Sequence, residues 1–257
     1  MDVSVIIITK NQLSFLRRTI PILLRQNFSG TYEIIVVDSG STDGALRFCR
    51  SQPIKLITLL PREFSYPHAF NVGAKQAKGK YLVRLSGDAI PLDQNWLHHL
   101  ISPLQDPKTG AAYGKYVVKD HVNYEYPSIW GRHSFPNRAI RHHLDRHWGL
   151  GISSSFTNFY HTYSLAGGNC AIRQDLWRAR PFNESIPANE DAEYAWFLHT
   201  IGYDVVYTPK AKVLHQHPKT PASVKLRNHL RCCLNAVRAY FQIIRFWITG
   251  EHRQFLP

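Results

Sequence analysis

Apolar positions in the first hundred residues alternate between two repeats. Short runs rich in β-branched residues, at Val3–Ile8, Glu33–Val37, Lys55–Leu60 and Tyr81–Leu85, are almost unbroken in apolar character, as strands covered on both faces must be. Between them the spacing turns helical. Within Leu13–Gln26, Leu13, Leu16, Ile20, Leu23 and Leu24 form one stripe while Arg17, Arg18 and Arg25 stay off it. Ser41, Thr42 and Asp43 are good caps for a second helix, a third is expected over Ala69–Lys78, and Asp93–Leu104 reads as a fourth. Strand and helix in alternation predict a mostly parallel α/β sheet with right-handed crossovers and helices on its faces.

The alternation stops after a strand at Tyr113–Lys119. Residues 120–165 are rich in His, Arg, Tyr, Trp and Ser. Arg132, Arg138, Arg141, Arg146, His133, His142, His143 and His147 crowd the stretch Arg132–Trp148. Order returns at Ala166-Gly167-Gly168-Asn169, followed by a short strand, a helix near Glu190–Ile201, and strands at Asp204–Thr208 and Lys212–His215. From Pro221 the chain is basic and helical in pattern. Leu226, Leu230, Cys233, Val237, Phe241, Ile244 and Ile248 fall on one face, with Arg227, Arg231, Arg238 and Arg245 along its flank.

Composition narrows the class. The chain has 257 residues, 44% of them hydrophobic, which excludes a disordered chain, a collagen or a coiled coil. Cys49, Cys170, Cys232 and Cys233 make no C-x-x-C spacing, so neither a disulfide framework nor a thiolate zinc site is expected, and reduced cytosolic thiols are. The opening apolar run lacks a basic leader and stops at Thr9-Lys10, and no stretch is long enough to span a membrane. A cytoplasmic protein is the expectation. The net charge of +13 favours an anionic partner: a nucleotide, a phospholipid headgroup or nucleic acid. No recognised nucleic-acid-binding motif is present, so nucleic acid is not the expected partner.

Ligands of open α/β sheets bind beyond the carboxyl ends of the strands. The segments there are Thr9-Lys10-Asn11, Asp38-Ser39-Gly40, Pro61-Arg62-Glu63 and Ser86-Gly87-Asp88, all polar. Of these, Thr9-Lys10-Asn11, Asp38-Ser39-Gly40 and Ser86-Gly87-Asp88, with Ser41-Thr42-Asp43-Gly44, Asn71-Val72-Gly73-Ala74, Gly79-Lys80-Tyr81, Ala89-Ile90-Pro91 and Asn189-Glu190-Asp191-Ala192-Glu193, resemble in order the motifs of family 2 glycosyltransferases of the GT-A fold, over residues 1–215. The Asp88-Ala89-Ile90-Pro91 segment is similar to that of rhamnosyltransferases. The resemblance implies a Rossmann-like central sheet, with residues 1–115 as a nucleotide-sugar-binding half and 116–220 as an acceptor and catalytic-base half of one domain. Residues 221–257 form an amphipathic helical tail.

It also implies roles. Asp38, with Thr9, Asn11 and Ser39, would hold the nucleoside, the carboxylate accepting from the imide N–H of a uracil or thymine ring; capping of the next helix by Asp38 is compatible with this. Asn71 and Arg62 would face the donor's phosphates or sugar, and a purely structural role stands beside that. Asp88 would grip Mn²⁺ or Mg²⁺, although the family's Asp-x-Asp is here Ser86-Gly87-Asp88. One or two carboxylates with phosphates and waters suffice for such a cation. His215 would complete the metal site, or be an ordinary surface histidine. Asp191 would be the base of an inverting transfer and Glu190 a group positioning the acceptor, with Gly167, Gly168 and Asn169 leaving room for it.

The implied activity is transfer of a sugar from UDP- or dTDP-sugar to a hydroxyl on a glycan or lipid-linked glycan. An inactive scaffold of the same fold is the alternative, prompted by the reduced acidic motif. The tail suits docking on anionic lipid at the inner face of the cell membrane, with Tyr240 and Trp247 as anchors; packing on protein is the other reading of it.

Overall fold

An all-apolar run with both faces covered has one stable place, the middle of a layered sheet, and β1 (Val3–Thr9) is buried at every residue. This computed structural model describes residues 1–117, 137–142, 165–187 and 189–215, and in the tail 234, 237, 238, 241, 242, 245 and 248–255. Most of the expected Arg132–Trp148 segment and of the tail helix, with Tyr240 and Trp247, lies outside the described residues.

After β1 come α1 (Leu13–Leu23), β2 (Tyr32–Asp38), α2 (Ala45–Arg50), β3 (Lys55–Thr58), α3 (Tyr66–Lys75), β4 (Tyr81–Ser86), β5 (Ala89–Pro91) and α4 (Trp96–Ile101). The second half holds β6 (Thr109–Val117), β7 (Ile140–His142), β8 (Asn169–Arg173), α5 (Gln174–Ala179), α6 (Glu190–Thr200) and β9 (Asp204–His215). Boundaries differ from expectation for local reasons. Pro21 inside α1 supplies no N–H, and the helix stops at Leu23. Gln26 instead crosses to α4, accepting from Leu97 N at 2.8 Å and donating to Asp93 O at 3.1 Å. Ser65 caps α3 by accepting from His68 N, and Pro67 sits in its first turn, so α3 begins three residues before Ala69. The two strands expected at the end are one, β9, with a break in register opposite Gly114 and Lys115.

The strand order is β3-β2-β1-β4-β8-β6-β9-β5, with β7 also paired to β9. β3, β2, β1 and β4 are parallel, as their periodicity predicts. The expectation of a mostly parallel sheet fails beyond them. β8 runs antiparallel to both β4 and β6, β5 and β7 run antiparallel to β9, and only β6 and β9 are parallel there. Alternate residues of the central strands feed two cores. Ile6, Ile8, Ile35 and Val37 pack with Phe70, Tyr194, Trp196 and Phe197 under α3 and α6. Val5, Ile7, Val36 and Val83 pack with Leu16, Ile20, Trp96 and Leu100 under α1 and α4. Each such side chain contributes about 1.5–3 kcal/mol on full burial. α6 is buried almost all round, as a helix sunk in a core must be.

Candidate active site

Register brings the strand ends together. Thr9 lies opposite Asp38, Ile8 opposite Ser86, Leu85 opposite Asn169 and Ala89 opposite His215. The carboxyl ends of β1, β2, β4 and β9 thus share one edge with the beginning of β8. Asp38 and the end of β4 stand two strand spacings apart, about 10 Å.

At β2, Asp38 is fully buried and organises the loop after it. Its Oδ1 accepts from Gly40 N and Ser41 N, both at 2.9 Å, and its Oδ2 accepts from the Ser41 hydroxyl. The loop is tied to β1, with Ser39 N and Oγ donating to Thr9 O at 3.1 and 3.2 Å. Asn11, in the left-handed region (φ 52), donates its N–H to Ser41 Oγ and accepts from Thr42 N, both at 2.7 Å. Thr9, Asn11, Asp38 and Ser39 therefore form one unit. Asp38 caps this loop rather than α2, whose first N–H, that of Ala45, is taken by Asp43 at 3.0 Å. Arg62 is exposed on the turn Pro61–Glu63, which packs on Gly40.

Asp88 sits in the turn between β4 and β5, and His215 ends β9. They are 5% and 4% exposed, and His215 Nε2 stands 3.2 Å from Asp88 Oδ1. Tyr116 on β6 stacks on His215 with ring centres 4.7 Å apart, which fixes the imidazole plane. Two groups each about 2.1 Å from one divalent cation and at right angles stand about 3.0 Å apart, so this pair has the spacing of two ligands of one ion. Among the described residues no third His, Cys, Asp or Glu joins them.

Gly167 and Gly168 precede β8. Gly168 N donates to the Tyr116 hydroxyl at 2.9 Å, and its carbonyl accepts from Ser86 N at 3.0 Å. Gly167 N donates to Asp191 Oδ2 at 2.9 Å, while Asp191 Oδ1 accepts from Ala192 N at 2.9 Å. A Cβ on Gly167 would come 2.5 Å from Asp191 Oδ2, so only glycine lets the two segments approach this closely. Asp191 is half-buried at the first turn of α6, where a carboxylate also gains from the helix dipole.

Three expectations are corrected. Glu190 does not face an acceptor. It is 2% exposed and turned inward, where its Oε1 accepts from Arg84 Nη2 at 2.6 Å. Burial pushes its carboxyl up to about 7, with the Arg84 guanidinium opposing. Asn169 is wholly buried, donating to Ala211 O at 2.9 Å and accepting from Trp96 Nε1 at 3.0 Å, so its amide braces the strands instead of lining a cleft. Asn71 is likewise spent inside the protein. Its Oδ1 accepts from Trp177 Nε1 and Phe182 N at 3.0 and 3.2 Å, and its Nδ2 donates to Phe182 O and Glu184 Oε1 at 2.8 and 2.9 Å. Sequence reasoning missed Arg84 and Tyr116. Arg84 had a signal, a charge inside the apolar run Tyr81–Leu85; Tyr116 had none.

Fold and site together define a GT-A glycosyltransferase architecture. The family model described as glycosyl transferase family 2 matches residues 4–177, and the chain belongs to that family. It is 26% identical over 224 residues to the O-antigen biosynthesis protein RfbC of Myxococcus xanthus, covering 83% of this chain and 17% of that protein. It is 24% identical over 192 residues to the O-antigen chain rhamnosyltransferase WbaN of Salmonella anatum, covering 74% and 58%. The chain thus spans less than two thirds of either relative. Among solved structures it is similar to the mannosyltransferase PcManGT from Pyrobaculum calidifontis in complex with GDP-Man and Mn²⁺, with a TM-score of 0.64, 20% identity, and coverage of 92% of this chain and 64% of that one.

Proposed function

We propose that this chain transfers a sugar, with inversion, from a UDP- or dTDP-sugar to a hydroxyl of a glycan or lipid-linked glycan. The observation that carries this reading is the convergence of Asp38, the Asp88–His215 pair and Asp191 on one edge of the sheet. Asp38 and its loop bind the base, and Thr9, Asn11 and Ser39 hold that loop in shape. Asp88 and His215 hold a divalent cation, Mn²⁺ or Mg²⁺, which when bound offsets negative charge on the diphosphate.

Asp191 is the base. Its oxygens each accept one backbone N–H and keep a further lone pair. As the acceptor oxygen bonds to the anomeric carbon, its proton passes to Asp191. The bond from that carbon to the diphosphate breaks on the opposite face, and the electron pair leaves with the diphosphate. An ordinary carboxylate suffices, because the hydroxyl becomes acidic only as the new bond forms.

The test measures nucleoside-diphosphate release and thermal shift with UDP-, dTDP- and GDP-sugars, with and without Mn²⁺. Asp191→Asn should keep nucleotide binding and lose turnover. Nucleotide binding without turnover in the wild type would make the chain a scaffold; wild-type turnover retained in Asp191→Asn would remove the assigned base. GDP-sugar preference would overturn the reading of Asp38.

The tail adds a location. Leu234, Val237, Phe241 and Ile248 are helical and exposed, with Arg238 and Arg245 beside them. Among the described residues no helix is long and apolar enough to cross a membrane. We propose peripheral docking of this face on anionic lipid. Equal recovery of the full chain and of Phe241→Glu/Ile248→Glu with phosphatidylglycerol vesicles would refute it.

A further inference from the structure

The catalytic half must be held against the donor half, and covalent continuity does not achieve this: α6 begins after a long excursion of the chain from β4. Locally, α6 starts with little: Asn189 before it is in the left-handed region (φ 67) and its side chain makes no cap hydrogen bond, and of the first-turn N–H groups that of Ala192 goes to Asp191 Oδ1. What fixes this helix start is a buried ion pair. Arg84 is 7% exposed and projects from β4 into the core beneath α3 and α6. Its Nη2 lies 2.6 Å from Oε1 of Glu190, the first residue of α6. The rings of Tyr66, Phe70 and Phe182 stand 5.8, 6.0 and 5.7 Å from its guanidinium carbon, a cage that holds the cation in one place. Arg84 Nη1 is buried with no hydrogen-bond partner among the described residues. A group kept purely for stability is poorly explained by such an arrangement, since a buried ion pair is often no better than well-packed apolar residues.

We propose that the Arg84–Glu190 pair is a positioning device that locks the start of α6 to β4 and so sets where the Asp191 carboxylate stands. Arg84 touches no reacting atom. It lies on the strand that leads directly into Asp88, so one rigid element references both the cation ligand and the base. Cys170, opposite Arg84 on β8 and in contact with its backbone, and Asp191 are the other titratable groups near the pair. The bond from Gly167 N to Asp191 Oδ2 reports on the base directly, because it forms only when the carboxylate is in place.

The inference rests on the proposed base role of Asp191, but its first readout does not need turnover. Arg84→Met/Glu190→Met replaces the pair by apolar side chains of similar length. Amide hydrogen exchange at Gly167 should speed up about tenfold or more while Tm stays close to wild type. In UDP-sugar turnover kcat should fall about 10- to 100-fold, the cost of a sub-ångström to ångström misplacement, with KM for the donor and affinity for UDP–Mn²⁺ unchanged. Arg84→Lys, which keeps the charge but loses the fork, should give intermediate exchange and partial kcat, and it serves if the double variant does not fold. Wild-type exchange at Gly167 in either variant overturns the proposal. Absence of turnover in the wild type would strike the proposed function alone and leave the exchange result to judge the pair.

Discussion

Gly167→Ala isolates the geometry of the base from its chemistry. The backbone there is not in the left-handed region, so alanine brings no conformational strain and the effect is steric. The added Cβ would lie 2.5 Å from Asp191 Oδ2 and 3.0 Å from Asp191 Cβ and Cγ, where ordinary contact begins at 3.4 Å. Relief requires the carboxylate and the Gly167 segment to part by 0.9 Å, the gap between 2.5 and 3.4 Å. A misplacement of about 1 Å costs about 100-fold in rate, or about 2.7 kcal/mol at about 1.36 kcal/mol per tenfold. Overpacking of this size lowers stability by about 1–3 kcal/mol, which for a chain of this length shifts Tm by about 2–4 °C per kcal/mol.

Steady-state nucleoside-diphosphate release under saturating donor should therefore show kcat reduced about 100-fold, with UDP–Mn²⁺ affinity by calorimetry unchanged. Gly202→Ala is the control. That glycine has φ +87 with nothing within 4 Å of its missing Cβ, so alanine costs about 1–2 kcal/mol of backbone strain and leaves kcat alone. A Gly167→Ala enzyme with kcat within threefold of wild type refutes the reasoning. So does equal loss of activity in the two variants, which would mean that activity follows stability and not the position of Asp191.

Asn71→Ala removes four hydrogen bonds, three of them buried, and should cost about 3 kcal/mol in urea unfolding, with UDP affinity within twofold of wild type; a tenfold loss of affinity would restore it as a donor contact. Asp88→Ala and His215→Ala should each abolish the Mn²⁺-dependent gain in UDP affinity while leaving metal-free affinity intact, read by calorimetry with and without EDTA. Glu190 predicts a pH signature. Its carboxyl is raised from 4.5 to about 7 by burial, so between these values the folded chain keeps a proton that the unfolded chain has released. This group's contribution to stability is full below pH 4.5 and is lost as pH rises through about 7. The Tm of wild type relative to that of Arg84→Met/Glu190→Met should fall as pH rises through that window, and a relative Tm that rises with pH would contradict it.

Much of the fold was legible because burial on both faces leaves a distinctive trace. Val3–Ile8 and Tyr81–Leu85 have no room for polar alternation, and they are strands. The start of α3 was also written, in Ser65 and Pro67, but local capping is easily outweighed by a longer apolar pattern. Asn71 and Asn169 show the opposite case. Residue type says that an amide wants partners, and only tertiary contacts decide whether protein or ligand supplies them. Here Trp177, Phe182 and Glu184 surround one, and Trp96 and Ala211 the other. Arg84 was visible as a charge among apolar residues, but its meaning lies in Glu190, a pairing that no local spacing encodes. Of the strands after β4, β6, β8 and β9 were placed in sequence while the three-residue β5 and β7 were not, and the direction of none was legible, since periodicity is blind to which way a strand runs.

That missing direction is what brings the candidate site residues to one edge. β8 has five residues, and at about 3.3 Å per step its first and last residues lie about 13 Å apart. Were it parallel to β4, its beginning would fall at the far edge of the sheet, with Gly167 and Gly168 beside the amino ends of β1 and β4. Because it runs antiparallel, Asn169 pairs with Leu85, and the two glycines arrive beside Ser86 and Tyr116 at the edge that holds Asp38, Asp88 and His215. The Gly167 N–H then draws in Asp191 from α6. A single reversed strand in the centre of the sheet thus joins the edge of parallel strands proposed to bind the nucleotide to the proposed base, Asp191 on α6, and the glycines at its start are where the two halves touch.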